Sequence, residues 1–151
     1  MRQRTVSPVF SNLIEDIQLV RVLIHRWAES QRAFEGQAYL STMILLGSIL
    51  EGVLLAKIEQ NPEPASRASS ASRGRDGQVL PFADWPLDDL IAVAHECGWL
   101  DQDVDDFGPA LRNYYKLIHP KEQQRSGIAP GAATCRIAWE VVGAAIDDLT
   151  R

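Results

Sequence analysis

Three side chains that can handle a phosphate group recur within ALRNYYKLIHP, residues 110–120. Arg112, Lys116 and His119 are spaced by four and three residues, which places them on one face of a helix. A guanidinium offers a planar fork of N–H donors to phosphate oxygens, and an imidazole titrates near physiological pH. The stripe therefore predicts a phosphate-handling site, and Pro120 predicts the end of the helix that carries it.

These groups are sufficient in principle to cleave RNA without a metal ion. The imidazole of His119 would take the proton of a 2′-hydroxyl, and the guanidinium of Arg112 would stabilise the charge on the phosphorane. Seven residues of helix separate the two by about 10 Å, but helical side chains lean toward the N-terminus, so we expect His119 to tilt toward Arg112. The alternative interpretation is structural: Arg112 forms an ion pair with a glutamate, and His119 merely ends its helix.

Glu51 is an acidic residue within the apolar segment GSILEGVLLAKI. A carboxylate in such a helix is not buried without a partner. We predict either that Glu51 pairs with Arg112 or a neighbouring polar group and orients it, or that it reaches solvent along a thin polar edge.

Two tyrosines within the basic stripe also admit two interpretations. Tyr114 and Tyr115 can stack on nucleobases. Alternatively, they belong to the half-buried edge of a helical core.

The remaining histidines and the cysteines form no metal signature. His25 and His95 are isolated on amphipathic segments, and we interpret them as structural. Cys97 and Cys135 lack CxxC spacing and have no histidine cluster beside them. We therefore interpret both as small buried hydrophobic residues and expect no metal site and no cofactor.

The elements that must position these residues all have helical spacing. Leu13, Ile17, Val20, Ile24 and Trp27, for example, recur every three or four positions, whereas no segment alternates as a strand would. Helices are predicted over residues 9–32, 37–59, 84–98, 101–119 and 131–149. The expected fold is an all-α, up-and-down bundle of about five helices.

Breaks and loops follow from proline, glycine and serine. Gly108–Pro109 predicts a kink or restart, and residues 120–130 are expected to form a loop. QNPEPASRASSASRGRDGQVLP predicts a long polar linker or mobile loop, about 60–84, outside the core. Its arginines are either solvated or in contact with an anionic partner.

Chain length and net charge limit the classes of protein to which the chain can belong. The chain has 151 residues and a formal net charge of −5, which predicts one domain over residues 1–151 and argues against broad nucleic-acid coating. The N-terminal stretch has no signal-peptide pattern, and the apolar run at 38–58 is interpreted as a buried core helix rather than a membrane span. A cytoplasmic location without membrane association is expected.

The basic stripe also follows the pattern of a known family. Asn113 directly follows Arg112, and six residues separate Arg112 from His119 on a late helix. In this the chain resembles the HEPN superfamily, and LRNYYKLIHP is similar to the LRxYRNxIHP style of small stand-alone HEPN-like proteins. GSILEGVLLAKI, CGWL and the final helix occupy corresponding places, so the resemblance covers roughly residues 37–149.

Two positions depart from that style. Tyr115 stands where the style has a second arginine, and Lys116 stands where it has asparagine. Lys116 would restore part of the missing positive charge.

The resemblance implies a metal-independent endoribonuclease that acts as a homodimer, as in many toxins and defence effectors. Two copies of Arg112, Asn113 and His119 would line one cleft as catalytic residues. The supporting or binding residues would be Glu51, Tyr115 and Lys116. The partners implied are an RNA substrate and, for a toxin, a cognate antitoxin. Other members have lost catalysis, so a non-catalytic dimeric binding or interaction module is the alternative.

Overall fold

Helices account for most of the structure, a computed structural model that describes residues 7–151. Over this range the chain is all-α, as predicted, with an isolated β-bridge but no strand. The α-helices are α1 (Ile17–Glu35), α2 (Tyr39–Gln60), α3 (Pro62–Arg67), α4 (Leu87–Glu96), α5 (Gln102–Tyr115), α6 (Pro120–Ser126) and α7 (Ala132–Leu149). Two short helices, α3 and α6, lie in segments that were expected to be loops.

The second helix lies at the centre of the fold. Leu46, Ile49, Leu50 and Val53 of α2 are fully buried, and α1, α4, α5 and α7 all pack against this helix. By length and composition α2 could also cross a membrane, a property that it shares with the core helices of soluble proteins. Its packing against four neighbours is what positions α5 and the segment that follows it.

The first helix begins later than its hydrophobic pattern indicated. Asp16 caps α1, because its carboxylate accepts hydrogen bonds from the backbone N–H groups of Gln18 and Leu19. The residues before it, predicted as helix from residue 9, include a 3-10 turn at Phe10–Asn12.

The buried face of α1 is also rotated from the predicted stripe. Leu23 and Trp27 are buried, whereas Ile17 and Ile24 expose 66% and 41% of their surface. Leu23 packs where Gly52 of α2 leaves room, since a β-carbon at residue 52 would lie 3.3 Å from its Cδ2. The prediction was wrong at Ile17 and Ile24 because spacings of three and four fit two adjacent stripes, and only packing chooses between them.

The segment expected to be a long polar loop is packed against the core instead. It contains α3, the bridge between Arg73 and Val79, and a 3-10 turn at Phe82–Asp84. Ala65, Ala68 and Ala71 are buried. The prediction that 60–84 lies outside the core is therefore corrected: its buried apolar side chains are alanines, too small to stand out in composition, and Val79, Leu80 and Phe82 pack partly buried against the core.

Carboxylates of α4 hold this segment in place. Glu96 accepts hydrogen bonds of 2.5–2.8 Å from the backbone N–H and hydroxyl groups of Ser69 and Ser70. These donors, the hydroxyl groups foremost, lower the pKa of Glu96 to about 2. Ser72 donates to Asp89 over 2.6 Å. The serine run is thus anchored to α4, although Ser69 and Glu96 remain exposed.

Of the kink or restart predicted at Gly108–Pro109, the restart does not occur, and helix α5 continues through both residues. Gly108 is buried against α4, where a β-carbon at this residue would lie 3.4 Å from Cγ2 of Ile91. This tertiary packing outweighs the local cost of proline in a helix. Pro120 occupies the first position of α6, a place that suits proline, and Gly127 ends that helix in the left-handed conformation (φ 66°).

Candidate functional site

The basic stripe does not lie on one continuous helix. Helix α5 ends at Tyr115, a 3-10 turn covers Lys116–Ile118, and His119 has an extended backbone (φ −93°, ψ 113°) at the start of α6. The proline that follows His119 disfavours helical angles there. The prediction that His119 ends the helix of Arg112 is therefore wrong. With a rise of about 2 Å per residue in the 3-10 turn, the two residues lie up to roughly 12 Å apart.

Arg112 is held by an acidic residue of a neighbouring helix. Its Nη1 donates to Oδ2 of Asp88, in the first turn of α4, over 2.9 Å. The Arg112 side chain keeps 35% of its surface exposed, and the Asp88 side chain 23%. Within the described residues this is the one hydrogen bond of the Arg112 side chain, so Nε and Nη2 keep N–H donors free of protein partners.

Glu51 lies beside a tyrosine of α5. The Tyr115 hydroxyl and Arg26 of α1 are both close enough to the Glu51 carboxyl to lower its pKa. Burial raises the pKa of Glu51 above its ordinary value of 4.5, against the lowering effects of Tyr115 and Arg26. Glu51 is half-buried beside Tyr115, and its expected role in orienting Arg112 stays a prediction.

Tyr115 is part of the packed structure. A β-carbon at Gly47 of α2 would lie 3.1 Å from Cγ and Cδ2 of the Tyr115 ring, so the ring rests directly on the helix backbone. Burial and the neighbouring Glu51 raise the pKa of the Tyr115 hydroxyl. Tyr114 is also half-buried against the core. The two rings fit the interpretation as edge-of-core residues, with the Tyr115 hydroxyl directed to Glu51.

The other members of the predicted set face solvent. Asn113, Lys116 and His119 are all exposed. Glu122 of α6 pairs with Arg125, and this pairing, together with Lys116 and His119 nearby, lowers the pKa of the Glu122 carboxyl. The exposed edge therefore combines an amide, an amine and an imidazole with one carboxylate.

The remaining histidines and cysteines lie elsewhere. His95 of α4 approaches Asp105 of α5, with 3.6 Å between Nδ1 and Oδ2, which links the two helices. Burial raises the pKa of the Cys97 thiol and raises that of Cys135 to about 11, so neither is a ready thiolate nucleophile. Within residues 7–151 no three His, Cys, Asp or Glu side chains form a group that could hold a metal ion.

The chain matches no protein-family model, no curated protein and no solved structure. The chemistry of the site therefore follows from its own residues. A guanidinium held at one nitrogen can bind an oxyanion through its free donors. An exposed imidazole can accept or donate a proton. An exposed amide can donate a hydrogen bond through its NH2 group and accept one through its oxygen.

Asp88 is a residue of the candidate site that sequence reasoning did not include. It is an acidic residue in the first turn of α4, a place that suits such a side chain for helix reasons alone. It is separated from Arg112 by 24 residues, and no helical spacing relates residues on different helices. A partly buried arginine is expected to pair with a carboxylate, and this expectation was the available signal. It does not identify which of the chain's carboxylates is the partner.

Proposed function

We propose that this chain is a HEPN-like protein that acts as a homodimeric, metal-independent endoribonuclease on single-stranded RNA. The observation that carries the proposal is a held, partly exposed guanidinium at Arg112 on the same short segment as the exposed side chains of Asn113 and His119. An up-and-down bundle of about five long helices, a single domain and a cytoplasmic location belong to the same proposal.

The proposed reaction needs only protein side chains. His119 takes the proton of a ribose 2′-hydroxyl, whose oxygen forms a bond to the adjacent phosphorus. Arg112 stabilises the negative charge of the phosphorane, and Asn113 positions the phosphate or the 2′-hydroxyl. The bond from phosphorus to the 5′-oxygen then breaks, and that oxygen leaves with a proton from an imidazolium. The products are a 2′,3′-cyclic phosphate and a 5′-hydroxyl, so DNA, which lacks the 2′-hydroxyl, is not cut.

The separation along one chain favours a dimer in this proposal. Arg112 and His119 lie up to roughly 12 Å apart along the chain, whereas the reacting atoms of one phosphodiester lie within a few ångströms. Two motif segments across a two-fold axis would bring Arg112 of one chain toward His119 of the other. Ile118, beside His119, is 55% exposed and is an apolar side chain that such an interface would bury.

The alternative function is a non-catalytic HEPN-like binding or interaction module. Two observations favour it: Asp88 already offsets the charge of Arg112, and the chain as a whole carries a net charge of −5. In this case the same edge binds an anionic ligand or a partner without turnover. A toxin role, with its cognate antitoxin, would belong to the catalytic alternative.

The test is cleavage of fluorescent single-stranded RNA and of the matching DNA in the presence of EDTA. We expect the RNA alone to be cut, and His119→Ala to abolish cutting. The matched control is His25→Ala, which removes an exposed histidine of a different helix, α1. Sedimentation in the same buffer reports the dimer. Cleavage by His119→Ala at the wild-type rate would show that the assignment of His119 is wrong, and binding without turnover would favour the module.

A further inference from the structure

We infer that Asp88 is a positioning residue: it holds Arg112 at one nitrogen so that the remaining donors of the guanidinium meet the substrate phosphate. This inference rests on the proposed function and adds to it a residue outside the motif. Asp88 itself does not touch the reacting atoms.

Asp88 and Arg112 are joined by one hydrogen bond and not by two; we call this single contact the anchor. A carboxylate and a guanidinium can join through two parallel hydrogen bonds, but here only Nη1 and Oδ2 meet, at 2.9 Å. The second oxygen, Oδ1 of Asp88, is buried without a hydrogen-bond partner. It therefore takes none of the remaining N–H donors of Arg112. Four of the five guanidinium donors are left for a ligand.

The anchor is fixed to a rigid element. Asp88 lies in the first turn of α4. Leu87, Leu90 and Ile91 of the same helix are buried in the core. The Asp88 carboxylate is therefore held in place by its helix. Because the arginine side chain is long and flexible, the ion pair fixes the position of Arg112 and not that of Asp88.

The neighbouring residue offers a matched control. Asp89 is also an acidic residue in the first turn of α4, but its carboxylate accepts a hydrogen bond from Ser72 and not from Arg112. A change at Asp89 removes the same kind of charge from the same helix end without touching the anchor.

Two substitutions separate position from charge. Asp88→Asn keeps an oxygen acceptor at the place of Oδ2 and removes the charge. It should retain most of kcat for RNA cleavage and lower KM, since Arg112 is then less offset. Asp88→Glu keeps the charge but lengthens the side chain by one methylene, which displaces the anchor. Because a misplacement of about 1 Å can cost on the order of 100-fold, kcat should fall by roughly that factor.

The experiment measures kcat and KM on the same RNA for wild type, Asp88→Asn, Asp88→Glu and Asp89→Asn, with thermal unfolding of each. Asp89→Asn should keep the wild-type kcat. If Asp88→Glu retains wild-type kcat while RNA is cut normally, the anchor role is overturned and the proposed function stands. If Asp88→Asn loses as much kcat as Asp88→Glu, the charge matters rather than the position, and the inference is again wrong. If the wild type neither cuts nor binds RNA, the proposed function fails and the inference fails with it.

Discussion

The ring of Tyr115 rests on Gly47, so closely that a β-carbon at residue 47 would come within 3.1 Å of two ring carbons. The hydroxyl of the same side chain lies close enough to Glu51, one helical turn further along α2, to lower the pKa of its carboxyl. The end of α5 thus meets the central helix at two residues, just before the chain turns toward His119.

We predict that Gly47→Ala lowers the free energy of unfolding by about 1 kcal/mol. Overpacking a well-packed site costs about 1–3 kcal/mol, and the gain in helix propensity returns about 1 kcal/mol. Urea unfolding measures the difference. Gly52→Ala is the control, because a new methyl group there meets only the flexible end of Leu23 at 3.3 Å. It should leave stability unchanged or slightly raised, and an equal gain for Gly47→Ala would contradict the close contact with Tyr115.

A second prediction concerns the pH dependence of stability at Glu51. Because burial raises its pKa, the folded chain binds this proton more tightly than the unfolded chain does. The contribution of Glu51 therefore makes stability fall as pH rises from 4.5, the ordinary pKa, through the raised value in the fold. Glu51→Gln should remove this fall, as measured by urea unfolding at a series of pH values.

Two further variants sharpen that test. Tyr115→Phe removes a donor that lowers the pKa of Glu51, so the fall in stability should extend to higher pH. Glu59→Gln changes an exposed glutamate of the same helix and should leave the profile as it is in the wild type. A wild-type profile for Glu51→Gln would mean that Glu51 is solvated rather than half-buried.

The anchoring of the 60–84 segment by Glu96 gives a third prediction. The pKa of Glu96, lowered to about 2, means that its stabilising contribution is present above the ordinary pKa of 4.5 and is lost as pH falls toward 2. Glu96→Gln should speed hydrogen exchange of the Ser69 and Ser70 amides at neutral pH. Global stability should change by less than about 1 kcal/mol, because the carboxylate is exposed.

Hydrogen exchange followed by mass spectrometry measures the exchange rate of the segment that contains Ser69 and Ser70. Glu63→Gln is a suitable control, since Glu63 pairs with Arg67 of the same short helix, at 3.7 Å between Oε2 and Nη2. Unchanged exchange at Ser69 and Ser70 in Glu96→Gln would show that buried alanines, and not the carboxylate, hold the segment.

A fourth prediction concerns the strength of the pair between Arg112 and Asp88. A double-mutant cycle of Arg112→Ala and Asp88→Ala should give a coupling energy of about 1 kcal/mol, since both side chains keep contact with solvent. Added salt should reduce the coupling. A coupling of zero would mean that the pair adds nothing to stability, against this prediction.

Much of the helical framework could be predicted from hydrophobic spacing. The central helix α2 and the last helix α7 were predicted within one or two residues, because long apolar runs leave few alternatives. The predicted face of α1 was wrong at Ile17 and Ile24, and the predicted restart at Gly108–Pro109 does not occur. In both places a contact with another helix, which no local pattern contains, decides the outcome.

For the candidate site, the sequence alone determined which chemical groups are present: a guanidinium, an amide and an imidazole within eight residues of chain. Tertiary structure decided their partners and their separation. Asp88 reaches Arg112 from 24 residues away, and Glu51 meets Tyr115 from another helix. The physical reason is that residue types and helical periodicity act within one segment, whereas ion pairs, burial and the turn after Tyr115 depend on which helices pack together.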